Sequence, residues 1–308
     1  MSEPLVSVLM AARNHEHFAA DAAASILDQD YERLELIAID DASDDATAAV
    51  LEQCAAEATP GRMRFLRHER RSGIAETRAH ALELARGELI GVLDSDDLWV
   101  PGKLVPQVEL LEAEPDAGLV HAEFEAFNSE TGAPVPWERE WDEDSDQLVE
   151  LVRVGCFIMT GTVLIRRAAI DTRGLGFVNP GYASYDDYLL YLTIALDWRI
   201  AHEDRVVMRY RRHPGNLTNI LFAQNLARAR ANLLELFVRR FPEAKPRLGR
   251  ELRRTLALQL MAAAAHERSK SNLRAARWTL EAFRQEPAVA ARAARCLVRE
   301  KLAAGSRP

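Results

Sequence analysis

Apolar positions along the first half of the chain follow two alternating rhythms. Short, nearly continuous runs occur at "LVSVLMA" (5–11), "LELIAI" (34–39), "MRFLRH" (63–68), "ELIGVL" (88–93) and "GLVHAEF" (118–124). Between them apolar residues recur every three or four positions. A continuous run suits a strand covered on both faces, whereas the three-to-four spacing gives a helix one apolar stripe. In "GIAETRAHALELARG", Ile74, Ala81, Leu82 and Ala85 share a face and Gly87 closes the helix. Repeated strand–helix–strand order predicts right-handed crossovers and a mostly parallel, Rossmann-like α/β sheet.

The middle is less regular. A polar loop spans 129–147, followed by a strand at "GTVLIRR" (161–167), a helix at "YDDYLLYLTIAL" (185–196) and a strand at "RVVMRYRR" (205–212). After Thr218 the pattern is purely helical, rich in Ala, Leu and Arg, and broken at Pro242, Pro246 and Pro287. Two regions are expected: an α/β domain over 1–219 and a helical extension over 220–308.

Composition excludes several classes. With 308 residues, 48% hydrophobic and 28% charged, the chain has ample material for a core and is not of the disordered type. No apolar run approaches the roughly 20 residues of a membrane-spanning helix, and no basic segment precedes the first apolar run. A cytoplasmic protein is expected. Cys54, Cys156 and Cys296 are odd in number and far apart, without zinc-site spacing.

The net charge of −8 hides an asymmetry. Residues 220–308 hold 19 Lys/Arg against 7 Asp/Glu, while 1–219 hold 20 against 40. Either the basic tail folds against the acidic domain, or it meets an anionic surface. In "NLARARANLLELFVRRF", Leu226, Leu233, Leu234, Phe237 and Phe241 can form one face and Arg228, Arg239 and Arg240 another. Such a helix suits packing, a homodimer contact or peripheral association with the inner face of the plasma membrane. No nucleic-acid partner is expected.

Chemistry concentrates where predicted strands end. Both "IAIDDASDD" and "GVLDSDDLW" occupy carboxyl ends of strands, the ligand-binding edge of such sheets, and the second crowds Asp94, Asp96 and Asp97 into four positions. One acidic strand end is ordinarily a solvated turn or helix cap. Two at equivalent ends point to a hard divalent cation or a hydroxyl-rich ligand. Oxygen donors favour Mg2+ or Mn2+, with phosphate as the natural further ligand. An aspartyl phosphatase would want Thr or Val where Leu98 stands, and a phospho-receiver domain is far shorter. Glycosyl transfer from a sugar nucleotide uses every acidic cluster. A binding or regulatory protein on the same fold, without turnover, is the rival class.

A resemblance sharpens this. "VSVLMAARN", "LELIAIDDASDDAT", "GIAETRAHALELARGELIGVLDSDDLWVPGKL" and "YDDYLLYLTIA" occur in the order and spacing of family 2 glycosyltransferases, over roughly residues 4–216. The resemblance implies a glycosyltransferase A-type fold and a metal-dependent, inverting transfer. The sugar would pass from a nucleotide donor, UDP-linked by family frequency, to a hydroxyl of a glycan, lipid-linked or protein acceptor in polysaccharide, lipopolysaccharide or glycoconjugate synthesis. It further implies that Asp41 meets the nucleobase, Asp96 the ribose or metal, and Asp97 the metal. Asp94 would orient its neighbours, Arg78 would face the nucleotide, and Asp187, preceded by Asp186, would be the catalytic base. "YRRHPGN" resembles the family's closing segment, making His213 a candidate for the phosphate or metal side. Ala11 and Arg13 stand where the family commonly has Pro and an aromatic residue, so Arg13 would offer its guanidinium plane to the base. His15 and His17 are expected at the exposed start of the first helix, and Trp99 and Trp137 as core or loop anchors.

Overall fold

The structure, a computed structural model, describes residues 3–137, 141–178, 181, 185–217, 226–268 and 271–304. The domain boundary expected at 219/220 lies outside the described residues. The first compact unit runs through Met1–Glu143, Cys156–Asn179 and Asp186–His213.

Its sheet begins with four parallel strands, β1 (Val6–Ala12), β2 (Leu34–Asp40), β3 (Met63–Arg67) and β4 (Leu89–Val92), ordered β3-β2-β1-β4. Six of the seven β1 residues and all of β2 are buried, as the continuous apolar runs require. Helices α1 (Ala19–Leu27), α2 (Thr47–Glu57) and α3 (Ile74–Leu84) provide the crossovers. Past β4 the pairing is mixed. β5 (Leu98–Trp99) and helix α4 (Leu104–Ala113) come next in the chain, followed by β6 (Ala117–Asn128), β7 (Pro134–Val135), β8 (Leu164–Arg166) and β9 (Arg199–Arg212). The order continues β4-β8-β6-β9-β5, with β8 antiparallel to both neighbours and β9 parallel to β6. The polar loop after β6 contains β7, which pairs back onto it.

Parallel pairing of β1, β2 and β4 brings their carboxyl ends, and the acidic segments that follow, to one edge. Three further elements reach the same unit: a 3-10 turn at Thr160–Thr162, the short helix α6 (Arg167–Asp171) and α7 (Asp186–Asp197). Trp99 is buried and donates its indole N–H to Gly161 O at 2.7 Å, tying β5 to the 3-10 turn. Lys103 is buried beside it, donating to Thr162 O (3.1 Å) and Val163 O (3.3 Å), and burial pushes its ammonium down to about 7.

The second unit is helical. It gathers Asp144–Gly155, which contains α5 (Gln147–Val154), with the described residues after Pro214: α8 (Leu226–Arg240), α9 (Ala244–Glu267), α10 (Asn272–Gln285) and α11 (Pro287–Ala304). Asp146 caps α5 through Leu148 N and Val149 N and takes a two-pronged contact from Arg247 at 2.6 and 2.8 Å. Nothing in the local pattern of 144–155 marks it as part of the tail. Leu233, Leu234 and Phe237 of α8, and Phe241 directly after it, are buried, so that apolar face serves packing. Among the described residues no helix is long and apolar enough to cross a membrane.

Candidate active site

The loop after β1 is bound to the loop after β2. Arg13 donates to Asp41 O and Ala42 O, both at 2.7 Å, and pairs with Asp44 at 3.0 Å. Asn14 and Ala42 both adopt positive φ, 54° and 53°, a conformation that non-glycine residues hold only where surroundings over-determine it. Ala11, partly buried, precedes this junction on β1.

Asp41 is buried at the β2 end. Its carboxylate accepts from Ser72 N (2.7 Å) and Gly73 N (2.8 Å) and lies 3.0 Å from His68 Nδ1. Gly73 has φ 103°, which a side chain would strain, and its N–H is thereby aimed at Asp41. Burial works against the Asp41 charge, but these donors hold the carboxyl below its ordinary value. His68 Nε2 lies 3.0 Å from His80 Nδ1, extending the contact to α3. Sequence reading passed over both histidines, because neither stands in an acidic motif.

The crowded carboxylates of "DSDD" each take a different protein partner. Asp94 accepts from Arg78 Nη2 at 2.6 Å. Asp96 Oδ2 lies 3.0 Å from His213 Nε2 and 3.8 Å from His15 Nε2. Asp97 accepts the backbone N–H of Arg211 at 2.8 Å. Distribution onto three separate partners offsets part of the repulsion, which still reaches Asp97 from Asp96 and Asp94. It also separates the acids chemically. Burial opposes ionisation of Asp96, yet the His213 hydrogen bond and the neighbouring His15 and His213 imidazoles keep its carboxyl below the ordinary range. Asp97 is pushed well above that range by burial and by neighbouring Asp96. Asp97, expected as a metal ligand, is 3% exposed and closed in by β9.

Arg78 links the two acidic motifs. It is 3% exposed, donates Nη1 to Asp186 at 2.9 Å and Nη2 to Asp94, and sits 5.8 Å from the Phe177 ring centre. Burial opposes its charge, but Asp94, Asp186 and Asp187 hold the guanidinium well above its ordinary value. The expectation that Arg78 faces a nucleotide thus meets a buried side chain engaged by protein carboxylates.

Asp187 opens α7. Its Oδ2 accepts from Thr160 Oγ1 at 2.7 Å and its Oδ1 from Tyr188 N at 2.6 Å. Desolvation and the adjacent Asp186 push the carboxyl up to about 6, against the lowering influence of Arg78 and Thr160. Thr160 stands in no recognisable motif, and Tyr191, buried with a phenol raised by burial and by Asp187, lies within "YDDYLLYLTIA" without having been singled out.

His15 departs from its expected place. Rather than an exposed helix start, it is partly buried, with Nδ1 2.8 Å from the hydroxyl of buried Ser95. His15, Asp96 and His213 each offer a ligand atom within 4.8 Å of the other two, the one such set of three among the described residues. The donor set is therefore not purely oxygen. Two imidazoles and a carboxylate at this spacing fit a divalent transition ion.

Comparison with known proteins places these features in a family. Residues 7–174 match the model described as "Glycosyl transferase family 2". A β-1,3-glucosyltransferase of Escherichia coli, WfgD, named for UDP-glucose and an N-acetylglucosamine diphosphoundecaprenol acceptor, is 29% identical over 203 residues, 65% of this chain and 74% of that protein. The succinoglycan biosynthesis protein ExoU of Rhizobium meliloti is 39% identical over 211 residues, 60% of this chain and 55% of that one. Among solved structures, S. aureus TarS 1-349 in complex with UDP-GlcNAc shares the fold with a TM-score of 0.67 at 18% identity, over 91% of this chain and 79% of that one. The mannosyltransferase PcManGT from Pyrobaculum calidifontis, in complex with GDP-Man and Mn2+, has a TM-score of 0.63 at 20% identity, over 98% and 89%.

Proposed function

The chain belongs to glycosyl transferase family 2 and is a glycosyltransferase, and we propose that it transfers a sugar from a nucleoside diphosphate donor, a UDP-sugar, to a hydroxyl of a lipid-linked or polysaccharide acceptor with inversion. The observation that carries the reading is the Arg78 bridge. It ties the strand-end acids, which suit a donor nucleotide, to α7, whose Asp187 has a carboxyl near 6. A base of that strength is ionised at neutral pH yet retains some affinity for a proton.

In this reading Asp187 takes the proton of the acceptor hydroxyl as its oxygen attacks the sugar from the face opposite the diphosphate. Thr160 and Tyr188 N hold the carboxylate in place, and Asp186 with Arg78 tunes it. Asp41, fixed by three donors, presents its remaining acceptor capacity to a nucleobase edge. Arg13 fixes the adjoining loop and Ala11 leaves room beside it. Asp96 and His213 would hold a divalent cation, Mn2+ or Mg2+, which when bound neutralises diphosphate charge; Asp97 supports that loop from Arg211. The UDP-glucose and lipid-diphosphate acceptor in the name of WfgD support this choice of substrates.

A lipid-linked acceptor places the reaction at a membrane face, and the basic charge of residues 220–308 supports peripheral contact there. The face for it is on α10, where Leu273, Leu280 and Phe283 are exposed, rather than on α8. Salt-sensitive co-sedimentation with anionic vesicles, lost in a Leu273→Ser/Leu280→Ser variant, tests that contact.

The central test is Asp187→Asn, assayed with UDP-glucose and a GlcNAc-diphospholipid acceptor. Turnover is expected to fall by about 10²–10⁴ with donor affinity unchanged. Near-normal turnover would remove Asp187 from the chemistry.

A further inference from the structure

We infer that His15 is a third protein ligand of the cation site, making it a two-histidine, one-carboxylate set that selects Mn2+ or Co2+ over Mg2+. The inference rests on the proposed cation at Asp96 and His213 and adds to it a residue from the loop after β1.

His15 is built into position. Its N–H donates to Thr47 Oγ1 at 2.8 Å, and its C=O accepts from Phe18 N and Ala19 N at 2.9 Å, so its backbone is fixed between the α2 start and the first turn of α1. Positive φ at Asn14 turns the chain back over the sheet edge just before it. The imidazole Nδ1 meets Ser95 Oγ at 2.8 Å, and Ser95 is itself fully buried between Asp94 and Asp96. Under this inference the Ser95 hydroxyl accepts from Nδ1–H, which leaves a lone pair on Nε2, the arrangement metal-binding imidazoles use.

The Nε2 atom points to the right place. It lies 3.8 Å from Asp96 Oδ2, too far for a hydrogen bond, while His213 Nε2 lies 3.0 Å from the same oxygen. Donors held about 2.1 Å from one ion stand roughly 3–4 Å apart, so these spacings suit a shared ion. The two imidazoles meet edge to face, 5.7 Å between centres at 85°, which lets both Nε2 atoms converge. Phe18 contacts both rings, at 6.1 and 4.9 Å, limiting their rotation.

The ligand types decide the metal. Mg2+ takes oxygen donors and gives up water reluctantly, whereas imidazole suits the later first-row ions. Replacing an expected carboxylate by a second imidazole therefore moves the preference away from Mg2+.

The test uses the full chain with Mn2+ alone and Mg2+ alone, followed by calorimetry and pulsed EPR of bound Mn2+. Wild type is expected to show nitrogen couplings from two imidazoles and to bind Mn2+ at least tenfold more tightly than Mg2+. His15→Phe should retain one imidazole coupling and lose about 10–100-fold in Mn2+ affinity, and Ser95→Ala, which leaves every ligand in place, should weaken Mn2+ about tenfold. His15→Gln, restoring an oxygen donor, should narrow the Mn2+/Mg2+ ratio. Unchanged nitrogen couplings and Mn2+ affinity in His15→Phe would overturn the third ligand while leaving Asp96 and His213 standing. A wild type that binds no Mn2+ overturns the cation site as a whole.

Discussion

Asp96 and Asp187 are the same residue type, each beside another aspartate, each with little solvent, and the structure drives them in opposite directions. Asp96 has two histidines against its carboxylate and is held below its ordinary range. Asp187 has a hydroxyl, one amide and the charge of Asp186, and is raised to about 6. Environments that push two titratable groups apart are how a single site assigns a charge-holding role to one carboxylate and a proton-accepting role to another. Crowding of acids in a sequence therefore carries less information than the partners that each acid finds.

Arg78 is the strongest lever on that difference, because it contacts both motifs. Arg78→Met leaves Asp94 and Asp186 without their shared cation, and removing one partner of a buried ionic group typically costs about 3–5 kcal/mol. Denaturant unfolding should register that loss; a variant within about 1 kcal/mol of wild type would show that the two acidic motifs are held together by something else.

Stability against pH probes Asp187 more gently. Its folded-state carboxyl is raised from 3.8 to about 6, so the folded protein binds that proton more tightly than the unfolded chain. The resulting stabilisation is present below 3.8 and is lost as pH rises through 6, where ionised Asp187 becomes a liability. Asp187→Asn should accordingly stabilise the protein at pH 7.5, by no more than about 3 kcal/mol. That gain should shrink as pH falls through 6 and vanish near 4. A gain that grows on acidification would reverse the sign assigned to this group.

Thr160→Val sharpens the comparison by the smallest amount. It removes one hydrogen bond to ionised Asp187, worth about 1 kcal/mol, so the acid limb of kcat should move upward from near 6 by less than one pH unit. An acid limb that stays in place would mean that Thr160 does not act on the proposed base.

Much of this site was legible in the chain. Asp41, Asp94, Asp96 and Asp97 stand directly after apolar runs too continuous for anything but buried strands, and Asp187 starts a helix whose periodicity is plain. Their partners were not legible. His15, His68 and Thr160 are polar residues in unremarkable contexts, Ser95 is passed over between the acids of "DSDD", and each gained its place from a contact distant in sequence. Arg78 was expected to face a nucleotide and is buried among protein carboxylates, because the partner that closes over it, Asp186, comes 108 residues later. The basic tail left packing and surface contact open until the fold was known. Its most apolar face, on α8, is consumed by packing, while the exposed apolar side chains are on α10.

The sequence by itself determined the strands of the parallel half, the edge at which their acids would collect, and the change of rhythm that sets the last helices apart. Local propensity and hydrophobic period act over a few residues, and each of these features is local. Tertiary structure alone decided which base each acid meets. His213 reaches Asp96 across 117 residues and His15 reaches Ser95 across 80, because the order β2-β1-β4-β8-β6-β9 and the turn after β9 carry them to one edge. No periodicity records that order; it follows from how the strands bury their faces together, and with it come the donor set, the raised carboxyl and the bridge between them.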